Sequence, residues 1–103
     1  MILQDYARHR VRLTGERSAH ILMHPEMKSM QSAMQETLRG PQLAIQSATD
    51  ENVVLSYRFV RNTLVGDKWL CVVVKYTGGS DAFVVTAYLT DKPKAGETIW
   101  PTR

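Results

Sequence analysis

Between Val53 and Thr90 the chain holds three long apolar runs joined only by short polar segments, and this spacing leaves few folds open. The runs cover about Val53–Arg61, Lys68–Tyr76 and Ala82–Thr90, with Val65-Gly66-Asp67 and Gly78-Gly79-Ser80-Asp81 between them. Links this short, rich in turn-forming residues, require antiparallel hairpins, because a parallel pair needs a crossover of roughly a dozen residues or more. Side chains alternate along each strand. In the first strand Val53, Leu55, Tyr57 and Phe59 form the expected core set, which sends Ser56 and Arg58 to the other side. In the second, Leu70, Val72, Val74 and Tyr76 are expected to be core, with Lys75 among Trp69, Cys71 and Val73 on the reverse. In the third, Phe83, Val85, Ala87 and Leu89 leave Thr86 and Tyr88 facing away. Arg58, Lys75, Thr86 and Tyr88 are therefore expected to share one uncovered sheet surface suited to a polyanion.

Upstream, His9, Val11 and Leu13 alternate with Arg10 and Arg12, the pattern of a short strand or extended arm with one half-buried face. Thr14 offers an N-cap and Glu16 a carboxylate in the first turn, so a short helix is expected over 15–23. Pro25 disfavours helix at His24 but suits the first position of a new one, so the chain should bend and restart there. Met27, Met30, Met34 and Leu38 make one apolar stripe, ended by Gly40-Pro41. A weak strand over Leu43–Ala48 and a polar turn at 49–52 lead into the hairpins. The tail with Lys92, Pro93, Lys94, Gly96 and Trp100 is expected to cross an end of the sheet. The expected fold class is α+β, a single domain over 1–103 with two N-terminal helices packed on one face of a roughly four-stranded antiparallel sheet.

A chain of 103 residues can bury one modest core, and its 44% apolar and 22% charged content is that of an ordinary globule. The net charge of +3 favours acidic partners. Arg8, Arg10, Arg12 and Arg17 crowd the N-terminal stretch, while Arg58, Arg61, Lys68 and Lys75 lie on or beside the strands. One cysteine, Cys71, excludes an internal disulfide and fits a reducing compartment. No apolar run approaches the roughly 20 residues of a membrane span, and the first residues lack the order of a signal peptide. A cytoplasmic location with no membrane partner is expected.

Read together, His20-Ile21-Leu22-Met23-His24-Pro25-Glu26-Met27, Glu36-Thr37-Leu38-Arg39-Gly40-Pro41, Tyr57-Arg58, Trp69-Leu70-Cys71-Val72-Val73-Val74-Lys75 and Val85-Thr86-Ala87-Tyr88-Leu89-Thr90, with Gly96 and Trp100 beyond, resemble a known pattern. The chain is similar, over about residues 14 to 101, to the phage- and toxin-associated small nucleases of the barnase, EndoU, colicin and RelE-like (BECR) superfamily. The resemblance implies metal-independent RNA cleavage by a toxin or phage-associated effector. The implied partners are RNA, free or on the ribosome, and an antitoxin or immunity protein. It implies no cofactor and points to His20, Arg58, Lys75 and Thr86 as the catalytic set, with Tyr88 and His24 as substrate-binding residues; Arg61, a basic residue on or beside the strands, is expected to bind substrate with them.

The chemistry of those residue types agrees. RNA is cut without metal when a base takes the 2′-hydroxyl proton, a cation steadies the crowded phosphate and an acid protonates the leaving oxygen. Histidine serves either proton role. The arginine fork of Arg58, with Lys75, would clamp the phosphate, while Thr86 and Tyr88 place the substrate. His20 and His24 have the spacing of a zinc helix, but no glutamate follows the first and Pro25 breaks the turn, so no metal is expected. The alternative reading is a non-catalytic module that holds RNA or a protein partner on the same basic sheet face.

Overall fold

In a computed structural model that describes residues 1–101, the order is β1 (Ile2–Gln4), β2 (Arg10–Arg12), α1 (Gly15–Leu22), a 3-10 turn (Pro25–Met27), α2 (Gln31–Arg39), β3 (Leu43–Gln46), β4 (Val53–Thr63), β5 (Gly66–Gly78), β6 (Asp81–Thr90) and β7 (Glu97–Trp100). The class is α+β, as expected, but β1 and β2 precede the two helices, and the sheet has seven strands rather than four, in the order β1-β2-β6-β5-β4-β3-β7. It is mixed, because β2 runs parallel to β6 while the β4–β5–β6 hairpins are antiparallel. The outermost strands, β1 and β7, have three and four residues, too few for an alternating pattern to stand out in sequence.

Thr14 caps α1 by accepting the Arg17 amide on its hydroxyl at 3.1 Å. The restart at Pro25 is shorter than expected. The Lys28 amide closes onto the Pro25 carbonyl in a single 3-10 turn, and Met30, at φ −97° and ψ 3°, delays α2 to Gln31. The apolar stripe survives this break: Met27, Met34 and Leu38 are buried and Met30 packs against them. With Ile21 they cover Leu70, Val72 and Val74 of β5 and Ala82, Val84 and Ala87 of β6.

Register decides which side chains share that covered face. Cross-strand partners point the same way, and β4 pairs Val54 with Val74, Ser56 with Val72 and Arg58 with Leu70. The helix-facing set of β4 is therefore Val54, Ser56, Arg58 and Val60, the reverse of the expectation. Val53, Leu55 and Tyr57 instead join Ile45, Cys71 and Val73 in a second apolar cluster on the opposite face. β4 is buried on both sides from Val54 to Tyr57, so its alternation carries no signal of which side the helices take. In β6 the pairing slips between Val73 and Val74, leaving both Val85 and Thr86 between helix-facing Val84 and Ala87. Phe83 and Val85 consequently leave the expected core set, whereas Ala87 and Leu89 keep to it.

The tail does not merely cross an end of the sheet. It runs over the second face, where the Lys94 amide donates to the Tyr57 hydroxyl at 3.1 Å, and returns to pair β7 with β3. Gly96 permits this path, because a Cβ there would stand 2.6 Å from Ile45 and 2.8 Å from the Gln46 carbonyl. Although β1 and β7 are the two edges, Tyr6 stacks on Trp100 with ring centroids 4.8 Å apart, and the Trp100 indole donates to the Pro41 carbonyl just beyond α2. The sheet thus curls until its margins meet beside the helix. No helix among the described residues is long and apolar enough to cross a membrane.

Candidate functional site

The expected quartet is divided between the two faces of the sheet. Lys75, Thr86 and Tyr88 lie on the face away from the helices, as expected: Lys75 pairs with Phe83, and Thr86 and Tyr88 pair with Val73 and Cys71. Arg58 lies on the helix side, where its guanidinium donates to the Gly40 carbonyl at 2.9 Å and so closes the C-terminal end of α2. Lys75 is already neutralised, donating to Asp50 at 2.9 Å, and the contact holds the Asp50 carboxyl below its usual range. His20 and His24 are exposed on the helical segment. His20 lines a shallow depression with Arg17 and Met23 that includes no other member of the expected set, and His24 stands 3.9 Å from Glu26. Arg61 lies beyond the register shift near the β4–β5 turn, exposed. The clamp of Arg58 with Lys75 and Thr86 is therefore overturned: residues on opposite faces of a sheet cannot grip one phosphate.

A different constellation forms where β1 turns into β2. The turn closes through the Asp5 amide to the His9 carbonyl at 3.1 Å, with Arg8 in the left-handed region at φ 67°. Asp5 is 4% exposed and accepts four hydrogen bonds. One oxygen takes the amides of Ala7 at 2.9 Å and His9 at 2.8 Å. The other takes the Tyr76 hydroxyl at 2.7 Å and faces His9 Nδ1 at 2.9 Å. Burial above all, and then the bond to Asp5, pushes the Tyr76 phenol well above the ordinary tyrosine range, so it stays a donor. A carboxylate oxygen accepts, so the tautomer that fits this contact carries its hydrogen on Nδ1 and leaves the Nε2 lone pair free. The His9 side chain is 61% exposed and its ring meets the Tyr76 ring edge-on at 5.9 Å.

His9 opens on a cleft of about 430 Å³ lined by Ile2, Arg8, Arg10, Arg12 and Asp81. Arg10 and Arg12 point outward because Val11 between them is fully buried. Arg12 grips Asp81 through two nitrogens, at 2.9 and 3.1 Å, and lies over the Phe83 ring. That grip, with the Thr77 hydroxyl, holds the Asp81 carboxyl below its usual range. Arg8 and Arg10 are exposed and make no salt bridge among the described residues. The alternation of Arg10 and Arg12 about Val11 is visible in sequence. Asp5, four residues before His9, is the signal that sequence reading passed over.

The second face holds a separate cavity of about 340 Å³ under the tail, floored by Leu55 and Val73 and walled by Ile45, Thr86, Tyr88 and Lys94. Cys71, flanked across the ladder by Tyr57 and Tyr88, is buried beside it. That burial pushes its thiol up to about 11, and burial likewise raises the phenols of Tyr57 and Tyr88. Comparison with protein-family models, with curated proteins and with solved structures gave no match.

Proposed function

We propose that the protein binds RNA at the β1–β2 corner and cleaves it without a metal ion. The observation that carries the reading is the imidazole of His9, held through Nδ1 by buried Asp5 and opening through an exposed ring on a cleft that contains Arg8, Arg10 and Arg12. A histidine oriented by a carboxylate suits general-base chemistry. In the proposed step Nε2 removes the 2′-hydroxyl proton while the 2′-oxygen attacks phosphorus. The bond to the 5′-oxygen breaks, that oxygen takes a proton from the imidazolium, and a 2′,3′-cyclic phosphate remains. Arg8 and Arg10 hold the phosphate and Arg12, stiffened by Asp81, borders it. An inhibitory protein partner would have to present carboxylates to the same arginines.

Purified protein incubated with total RNA, and separately with ribosomes, in the presence of a chelator is expected to yield fragments ending in cyclic phosphate and 5′-hydroxyl. Intact RNA in both incubations overturns the cleavage step. One observation favours a second reading, binding alone: Asp5 also accepts the Ala7 and His9 amides, a turn-closing role that needs no catalysis. That reading gives salt-sensitive RNA association and no fragments.

A further inference from the structure

The cavity under the tail shares no residue with the β1–β2 corner, and it has the composition of a ligand site rather than of a packing defect. Its floor is aliphatic, from Leu55 and Val73 with Ile45 at the side. Thr86 and Tyr88 line it from β6, and Gln46, Ser47 and Thr49 add polar groups at the end of β3 and just beyond. Lys94 is the one charged residue in the lining, and no carboxylate is among the residues around it. Lys94 is exposed and has no salt bridge among the described residues, in contrast with Lys68, bonded to Asp91, and Lys75, bonded to Asp50.

The covering segment is held at two points. Its Lys94 amide is tied to the Tyr57 hydroxyl, and Gly96 is seated against Ile45 and Gln46 where no other side chain would fit. The roof is therefore set over the apolar floor with the Lys94 side chain at the rim. A volume of about 340 Å³ is at the lower end for small-molecule sites, and such sites combine an apolar lining with a few converging polar groups. An uncharged apolar molecule would leave the lysine and the polar side chains of the lining unused. A dianion would meet one cation only, and burying an unpaired charge is strongly unfavourable.

We propose that this cavity binds a small monocarboxylate with an apolar tail, the tail on Leu55 and Val73, the carboxylate on the Lys94 ammonium and the Tyr88 hydroxyl. The Tyr88 phenol is kept protonated by its burial and so serves as a donor.

Decanoate is the probe, with decanol as its uncharged counterpart. Titrated into the full chain labelled at its Ile, Leu and Val methyls, decanoate is expected to shift Ile45, Leu55 and Val73 and to leave Ile2, which lines the β1–β2 cleft, unmoved. Lys94→Gln is expected to weaken decanoate about tenfold and to leave decanol unchanged, since it removes the charge and little else. If decanoate shifts none of the three methyls below the concentration at which it self-associates, the site is overturned. If decanol binds as tightly as decanoate to the unaltered chain, or Lys94→Gln binds decanoate equally well, the carboxylate assignment is overturned. The methyl readout needs no substitution, so a variant that failed to fold would not blunt the test.

Discussion

Two polar trios hang on β5, one at each face, and they handle protons in opposite ways. At the helix face Tyr76 meets Asp5 and His9: a buried carboxylate, a phenol that stays protonated and an imidazole open to water. At the other face Cys71 stands between Tyr57 and Tyr88, three weak acids that burial keeps neutral. The first is rimmed by arginines and the second by aliphatic side chains. The same two residue classes, a phenol and a titratable neighbour, thus give a place where a proton can be exchanged and a place where protons are held. What separates them is access to water and the presence of one carboxylate.

The largest effect on this contrast should come from Asp5→Ala. It removes four accepted hydrogen bonds and leaves the Tyr76 hydroxyl buried without its acceptor, so a stability loss of roughly 3 kcal/mol is expected in chemical denaturation. Tyr88→Phe, by comparison, should cost under about 1 kcal/mol. Equal losses would mean that the two trios are not different in kind. Next in size, Arg10→Ala should weaken RNA binding several-fold and reduce the slope of log affinity against log salt by about 1, because one phosphate contact is lost. An unchanged slope would move the RNA elsewhere.

The neutral trio should show itself at high pH. The Cys71 thiol ionises near 8.5 in the unfolded chain and near 11 in the folded one, so the folded state holds a proton that the unfolded state gives up. The stability this contributes is complete below about pH 8.5 and declines as pH rises toward 11. Cys71→Ala should flatten that decline in thermal melts, and the native thiol should resist alkylation at pH 8. The smallest effect belongs to Asp81. Its carboxyl is held low by Arg12, so the tie favours the fold at neutral pH and is lost on acidification through the range below that of ordinary carboxylates. Asp81→Asn should therefore narrow the difference in melting temperature between pH 6 and pH 3 slightly, the pair being solvent-exposed.

Much of the frame is legible in the letters and the β1–β2 corner is not, for reasons that lie in particular residues. Gly78-Gly79 and the turn before Lys68 force the hairpins, Thr14 caps α1, and the stripe of Met27, Met34 and Leu38 makes the core. Strand parity in β4 fails because Val54 and Leu55 are both buried, one beneath the helices and one beneath the tail. The covering path of Lys94 and Gly96 depends on a backbone approach so close that a Cβ on Gly96 would stand 2.6 Å from Ile45, and no local pattern announces it. Asp5 and His9 are drawn together by a turn only five residues long, but the bond from Tyr76 to Asp5 spans 71 positions and exists only once β1, β2, β6 and β5 lie side by side.

The proposed chemistry resides at His9 and not with Arg58 on the helix face. Cleavage of the same RNA by the unaltered protein, His9→Gln and Arg58→Ala, each checked for folding, tests it most directly. His9→Gln is expected to lose cleavage by about a hundredfold or more, while Arg58→Ala keeps it. Retained cleavage in His9→Gln, or its disappearance in a well-folded Arg58→Ala, would contradict the account.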